Sequence, residues 1–194
     1  MTTTRVVFVR HCEPEPDARG RCYGSLDFAL SAAGRASAAG LVVGPADAVV
    51  SSPRRRALET AGPIAAASGV SVTVDERWRE LDFGELEGLT YEEAERLHPE
   101  LYARWMSTPT EVSFPGGEGY AQLRARVVAA VDELRAAHGG RTACVVSHGG
   151  PIRAALAACL QMPDAAIFRL ALDYGAVSIV DWLGDEPLVR SVNG

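Results

Sequence analysis

Two histidines in this chain each follow an apolar, strand-like run, and each has an arginine close by. Val6-Val7-Phe8-Val9 leads into Arg10-His11. Ala143-Cys144-Val145-Val146-Ser147 leads into His148-Gly149-Gly150, with Arg153 close behind. Between them, Ala48-Val49-Val50 ends in Ser51-Ser52-Pro53, and Arg54-Arg55-Arg56 follows at once. Neutral imidazole is a good nucleophile near pH 7, and the planar guanidinium fork matches phosphoryl oxygens. The repeated arrangement points to phosphate chemistry carried by histidine.

The bulk composition narrows the alternatives. At 194 residues, with 47% hydrophobic and 23% charged residues, the chain reads as one globular domain, residues 1–194. Its net charge of −6 argues against a nucleic-acid surface, so an anionic ligand must be held by local arginines. All 19 basic residues are arginine, which leaves no lysine for a Schiff base or a phosphate loop. Cys12, Cys22, Cys144 and Cys159 form no C-x-x-C pair. No leader is expected before the first strand, and no apolar stretch approaches the roughly 20 residues of a membrane span. The expected setting is cytoplasmic, with free thiols, no membrane partner and a small phosphorylated metabolite as ligand.

Elements must bring these residues together. Arg5 to Arg10 reads as a strand buried on both faces, and Asp47–Ser51, Val70–Val74, Arg141–Ser147 and Ala176–Trp182 as further strands. Helices are predicted at about 31–42, capped by Ser31, then from Pro53 to about Ser68, at about 118–138, and from Pro151 to Leu160. Strands and helices alternate. That predicts a three-layer α/β fold, with a mostly parallel sheet and helices on both faces. Residues from about 81 to 117 differ in composition and contain a Thr90–Glu93 capping box; they read as a small cap inserted over the strand carboxyl ends. Ligands of open α/β sheets bind outside those ends. There the helix amino termini would add N–H donors and positive dipole ends to Arg10, His11, Arg56 and His148.

At this point the residues resemble a family. Arg10-His11, Ser51-Ser52-Pro53-x-x-Arg56-Ala57, Glu80-x-x-Phe83-Gly84-x-x-Glu87-Gly88 and His148-Gly149 are similar, in this order, to the motifs of the histidine phosphatase superfamily, which includes the phosphoglycerate mutases. The resemblance implies that His11 is the nucleophile and becomes phosphohistidine. Arg10, Arg56 and His148 would hold the phosphoryl oxygens, and Glu80 would protonate the leaving group. It implies no cofactor and no metal, and a homodimer is common among such proteins. Cys22-Tyr23-Gly24-x-x-Asp27 and Gly117-Glu118-Gly119-Tyr120 resemble the α-ribazole phosphatase branch of cobalamin assembly. Expected substrates are therefore α-ribazole 5′-phosphate or several small phosphomonoesters, with Tyr23, Gly24, Ser52 and Gly149 as candidate pocket residues. Two departures stand out. Cys12 follows the nucleophile where the family usually has glycine, and Asp17 replaces a common asparagine; Asp17 is expected to point away from phosphate.

Other residues have ordinary readings beside functional ones. Arg54 and Arg55 read as a solvated helix face. Glu85 and Glu87 compete with Glu80 for the acid role, and Glu87 is expected to tether the loop. His98 and His138 read as surface residues. Arg153 either reaches the pocket or pairs with a carboxylate. A cysteine phosphatase needs an arginine six positions after its cysteine; Ala18 stands there for Cys12, so Cys12 reads as a structural thiol. The alternatives to hydrolysis are mutase-type phosphoryl transfer, a non-catalytic phosphate-binding relative, and a metallohydrolase built on His11 and His148.

Overall fold

A computed structural model describes residues 2–194. Six strands form one sheet in the order β3-β2-β4-β1-β5-β6. These are β1 (Thr3–Arg10), β2 (Ala48–Ser51), β3 (Val72–Val74), β4 (Thr142–Ser147), β5 (Val177–Leu183) and β6 (Glu186–Ser191). Four strands run parallel, with Arg10 opposite Ser147 and Ser51 opposite Val146, so their polar carboxyl ends share one edge. β5 and β6 are antiparallel additions beside β1.

The side chains of β1 alternate between two cores. Val6 and Phe8 pack with helices α5 (Tyr120–Ala137) and α6 (Gly149–Cys159); Val7 and Val9 pack with α2 (Arg55–Ser68). A strand covered on both faces needs apolar residues at every position, which is why the sequence shows a continuous run there. Helix α1 (Ala32–Gly40) is capped by Ser31, whose hydroxyl accepts from the Gly34 amide at 2.9 Å.

The cap contains α3 (Tyr91–Leu97) and α4 (Pro99–Ser107), with the Thr90–Glu93 capping box formed as expected. Its own small core joins Cys22, Leu86, Ala94, Val112 and Phe114. Phe83, Trp105 and Phe114 contribute rings packed 5.1–5.4 Å apart.

Four element boundaries differ from expectation for identifiable reasons. Helix α2 begins at Arg55, not Pro53, because its first free amide is captured from outside: Arg55 N–H donates to Asp27 Oδ1 at 2.7 Å. Strand β3 begins at Val72 because Val70 closes the end of α2, where Gly69 adopts φ 68° and Val70 N–H donates to Ala65 O at 3.1 Å. Helix α6 begins at Gly149, two residues before Pro151, since the Gly150 amide finds an acceptor in Glu80. Strand β6 lies beyond the expected last strand. It is a half-buried edge strand carrying Pro187, a residue that weakens any strand signal.

Candidate active site

The carboxyl ends of β1, β2 and β4 converge on a cavity of about 320 Å³ lined by Arg10, His11, Tyr23, Arg56, Glu80 and Tyr174, among others. His11 follows β1 directly and is held by its backbone, the amide donating to Ser147 O at 2.9 Å. Its Nδ1 lies 2.8 Å from the Cys12 carbonyl. A carbonyl only accepts, so Nδ1 carries the proton and Nε2 keeps its lone pair. His148 is assigned by the converse argument. Arg56 Nε donates to His148 Nδ1 at 3.2 Å; the proton is therefore on Nε2, which donates to Ser52 Oγ at 2.7 Å. The two imidazoles lie edge to face, 5.0 Å between centroids.

Both rings are neutral in this arrangement. Burial, then the Arg56 charge, with Arg10 adding to it, holds His11 well below the usual imidazole range, although the Cys12 carbonyl works the other way. His148 is depressed by burial, by Arg56 and by His11 itself. A buried neutral His11 with Nε2 unprotonated has the protonation state a nucleophile requires.

The two arginines are held differently. Arg10 Nη1 donates to Leu172 O at 2.5 Å, and its Nε is buried with no protein acceptor among the described residues. An unsatisfied buried guanidinium N–H is rare and costly, and an anion is the partner it suits. Arg56 is fully buried. It donates to Leu26 O (2.7 Å), Gly24 O (3.2 Å), Tyr23 O (3.3 Å) and His148, leaving one Nη1 hydrogen uncommitted. Much of its capacity therefore goes into fixing the loop at residues 23–26, a role the motif did not reveal.

Glu80 is anchored through both carboxylate oxygens, accepting from Leu81 N–H (2.9 Å) and Gly150 N–H (3.2 Å). The segment before it is fixed by Arg126, which donates to the carbonyls of Arg77, Arg79 and Glu80. Arg126 also pairs with buried Glu118 at 2.7 Å. Glu87 accepts from the amides of Gly24, Ser25, Leu26 and Phe83, which is the tethering expected of it.

Of the four candidate pocket residues, Tyr23 lines the cavity, whereas Gly24, Ser52 and Gly149 do not; nor does His148, expected to hold a phosphoryl oxygen, because it is fully buried with both ring nitrogens committed to Arg56 and Ser52. The Gly24 carbonyl supports Arg56, and a side chain there would collide with the Leu81 carbonyl. Ser52 is fully buried against His148. Gly149 lies in the first turn of α6, where a Cβ would stand 2.8 Å from Arg153 Nη1 and 3.9 Å from Arg10 Nε. Arg153 forms no ion pair among the described residues; its Nε donates to Leu170 O at 3.0 Å. Asp17 is exposed and off the cavity. Cys12 is buried with Leu30 and Ala38, its thiol pushed up by burial. His98 and His138 are partly buried, away from the cavity.

Sequence reasoning missed Tyr174. Its ring covers Arg10 (4.3 Å) and lies 5.5 Å from the His11 ring, and its hydroxyl meets that of Tyr23 at 2.9 Å. Tyr23 in turn stacks over Arg56 at 5.0 Å. Each of these two arginines thus sits under a tyrosine, and the hydroxyls of the two tyrosines meet. An aromatic residue in the Asp173-Tyr174-Gly175 turn just before the antiparallel strand β5 was the available signal. Among the described residues, no three His, Cys, Asp or Glu side chains gather in a way that could hold a metal ion, and no helix is long and apolar enough to cross a membrane.

Comparison with known proteins agrees with this geometry. The histidine phosphatase superfamily (branch 1) matches residues 6–194. The bifunctional protein Rv2228c of Mycobacterium tuberculosis is 37% identical over 198 residues, covering 99% of this chain and 54% of that protein. The chain therefore spans about half the length of the first curated relatives it matches. Phosphoserine phosphatase 1 of Hydrogenobacter thermophilus is 34% identical over 91% of this chain and 85% of its own. Mycobacterial glucosyl-3-phosphoglycerate phosphatase superimposes with a TM-score of 0.89 at 27% identity, covering 99% of both chains. The α-ribazole phosphatase of Shigella flexneri shares the fold, with a TM-score of 0.89 at 23% identity over 98% of this chain and 96% of that one.

Proposed function

The chain belongs to the histidine phosphatase superfamily, and on that premise we propose that it is a metal-independent phosphomonoester hydrolase working through a phosphohistidine. The observation that carries this reading is the tautomer of His11: its Nδ1–H is spent on the Cys12 carbonyl, so Nε2 is free beside Arg10 and Arg56.

In the first half-reaction His11 Nε2 attacks phosphorus as the bond to the leaving oxygen breaks. Glu80, in its protonated form, gives that oxygen a proton. Arg10 Nε and the spare Arg56 hydrogen stabilise charge on the equatorial oxygens, while His148 supports Arg56 from behind, its Nδ1 accepting from Arg56 Nε and its Nε2–H given to Ser52. In the second half-reaction water attacks phosphorus, its proton passes to Glu80, and the N–P bond breaks to release inorganic phosphate and neutral His11.

The relatives named above include phosphatases of phosphoserine and of glucosyl-3-phosphoglycerate, so small phosphomonoesters are the substrate class this reading supports. α-Ribazole 5′-phosphate belongs in the panel. The motif residues that pointed to it have structural duties here: Asp27 captures the α2 amide, Gly24 packs on Leu81, and Glu118 pairs with Arg126.

The test is a rapid quench during turnover of a generic aryl phosphate in the presence of a chelator. An acid-labile, base-stable phosphoenzyme is expected in wild type and none in His11→Ala. Turnover that stops on adding the chelator, or that proceeds with no adduct on a histidine, refutes the mechanism.

A further inference from the structure

The proton donor faces two ways. Glu80 lines the phosphate cavity and also a second cavity of about 210 Å³, which it shares with Gly150 and Arg153. Phe83 and Tyr91 line both as well. The second cavity shares Tyr91, Trp105, Pro109 and Phe168 with an outer groove of about 470 Å³ bordered by Met106. Phosphate pocket, inner cavity and outer groove thus lie in a row as one trough, each sharing walls with the next.

Its walls are rings. Trp105 is backed by Phe83 and Phe114 at 5.4 Å each, and Tyr91 stands 5.8 Å from it. Phe168 is 57% exposed, Met106 52% and Tyr91 46%. A cap core does not need these side chains in solvent, and clustered exposed apolar groups beside a catalytic cavity mark a binding groove. Charge is confined to one end. Arg153 is the cation of the inner cavity; its Nε is given to Leu170 O and its guanidinium lies 5.6 Å over Phe168. Beyond it the groove has no charged lining residue.

The other arm of the phosphate cavity differs. Glu13, Glu15, Arg19 and Arg21 line it, with Arg19 paired to Glu13 and Arg21 bound to the Asp17 and Gly88 carbonyls. Glu15, which has no ion pair among the described residues, disfavours an anionic leaving group there, and an apolar one would strip water from charges.

From this we infer that the trough beyond Glu80 is the leaving-group subsite, and that the substrate is a phosphomonoester whose alcohol carries a flat apolar ring system. The inference rests on the hydrolase reading, because an acid that protonates the leaving oxygen must stand on the leaving-group side of phosphorus. The charge of Arg153 stops at the inner cavity, and the outer groove, which no charged residue lines, is the part that suits an apolar ring.

Binding of inert phosphonates tests it without turnover. Calorimetry would compare 2-naphthylmethylphosphonate, methylphosphonate and 3-phosphonopropionate on the wild type and on Phe168→Ala. The naphthyl ligand should bind about thirtyfold tighter than methylphosphonate, the ratio for burying ~80 Å² of ring. Phe168→Ala should lower that ratio several-fold; a ratio cancels any general change in the anion site. Trp105→Phe, which keeps an apolar ring in the cap core, should lower it less. Equal affinities, a preference for 3-phosphonopropionate, or no binding of either compared ligand overturns the inference. Hydrolysis of 2-naphthylmethyl and ethyl phosphates, whose alcohols leave with similar intrinsic ease, reads the other question. Selective naphthyl binding with no ester turned over would sink the hydrolase reading and keep the subsite.

Discussion

Removing the Glu87 carboxylate should cost more than its distance from His11 suggests. One carboxylate accepts from four backbone amides, at 2.7 Å from Ser25, 2.9 Å from Gly24, 3.0 Å from Phe83 and 3.4 Å from Leu26. Three belong to the loop whose carbonyls grip Arg56, and the fourth to the cap. Hydrogen bonds to a charged acceptor contribute ~1.5–3 kcal/mol each. Water recovers part of that at this half-buried position, so about 4 kcal/mol is expected for Glu87→Ala. At ~2–4 °C per kcal/mol in a chain of this size, Tm should fall by about 8–16 °C. The freed loop would also release Arg56, and kcat/KM should drop by roughly ten- to a hundredfold, mostly in kcat, as for a weakened transition-state donor. Thermal unfolding and steady-state hydrolysis in chelator measure the two effects. Glu87→Gln should behave nearly as badly, because its amide group would oppose the donors. A Glu87→Ala protein with wild-type Tm and wild-type kcat would show that the loop holds itself, and the reasoning would fail.

Three further outcomes follow from the same geometry. Arg56→Ala should lose ~2–4 kcal/mol of transition-state stabilisation, visible in kcat; a change confined to KM would contradict the role given to it. Arg126→Ala leaves buried Glu118 with only the longer Arg79 contact at 3.6 Å and releases three carbonyls before Glu80. It should cost less than the ~3–5 kcal/mol of a wholly unpaired buried charge in urea unfolding, and less again when combined with Glu118→Gln; equal losses in both would place the penalty elsewhere. Acid should weaken the fold early. The unfolded chain takes up protons below about pH 6.5, while native His11 and His148 refuse them, so stability is complete above that pH and falls beneath it, by up to ~1.4 kcal/mol per pH unit for each ring. Urea midpoints that stay flat from pH 7.5 to 5.5 would mean that neither ring resists protonation in the native state.

What was legible in the sequence follows from where signals are redundant. β1, β2 and β4 are buried on both faces, so every residue repeats the message, and the polar residues at their carboxyl ends name the site. β6 alternates, carries a proline and sits at the sheet edge, so it gave no comparable run. Motif and strand position named Arg10, His11, Arg56 and Glu80, which the fold brings to one cavity, and His148, which it packs behind them against Arg56 and Ser52. What those motifs do not encode is which donors are already spent. Arg56 looked like a phosphate ligand alone, yet three loop carbonyls and an imidazole hold most of it. Gly24 and Ser52 looked like pocket walls, yet each acts from behind, through Arg56 and His148. Tyr174 and Arg126 were invisible for a related reason: Tyr174 meets Tyr23 across 151 residues, and the carbonyls that Arg126 holds lie 46–49 residues away, so no local pattern links them.

The departure at Cys12 is resolved by the backbone. The group that orients the nucleophile is the carbonyl of residue 12, and its amide donates to Thr60 Oγ1 at 3.0 Å. The side chain meanwhile packs with Leu30 and Ala38, away from the ring. Any residue that keeps this backbone course preserves the Nδ1–H bond. That bond also strengthens when it matters. Before attack the ring is neutral and the carbonyl merely selects its tautomer. As the N–P bond forms, positive charge spreads over the imidazole, and the same 2.8 Å contact becomes charge-assisted. Arg10 and Arg56 act in the same sense, since the charges that keep His11 unprotonated are those that draw the phosphoryl oxygens inward. Groups that hold the ground state neutral and hold the transition state more tightly supply differential binding without moving.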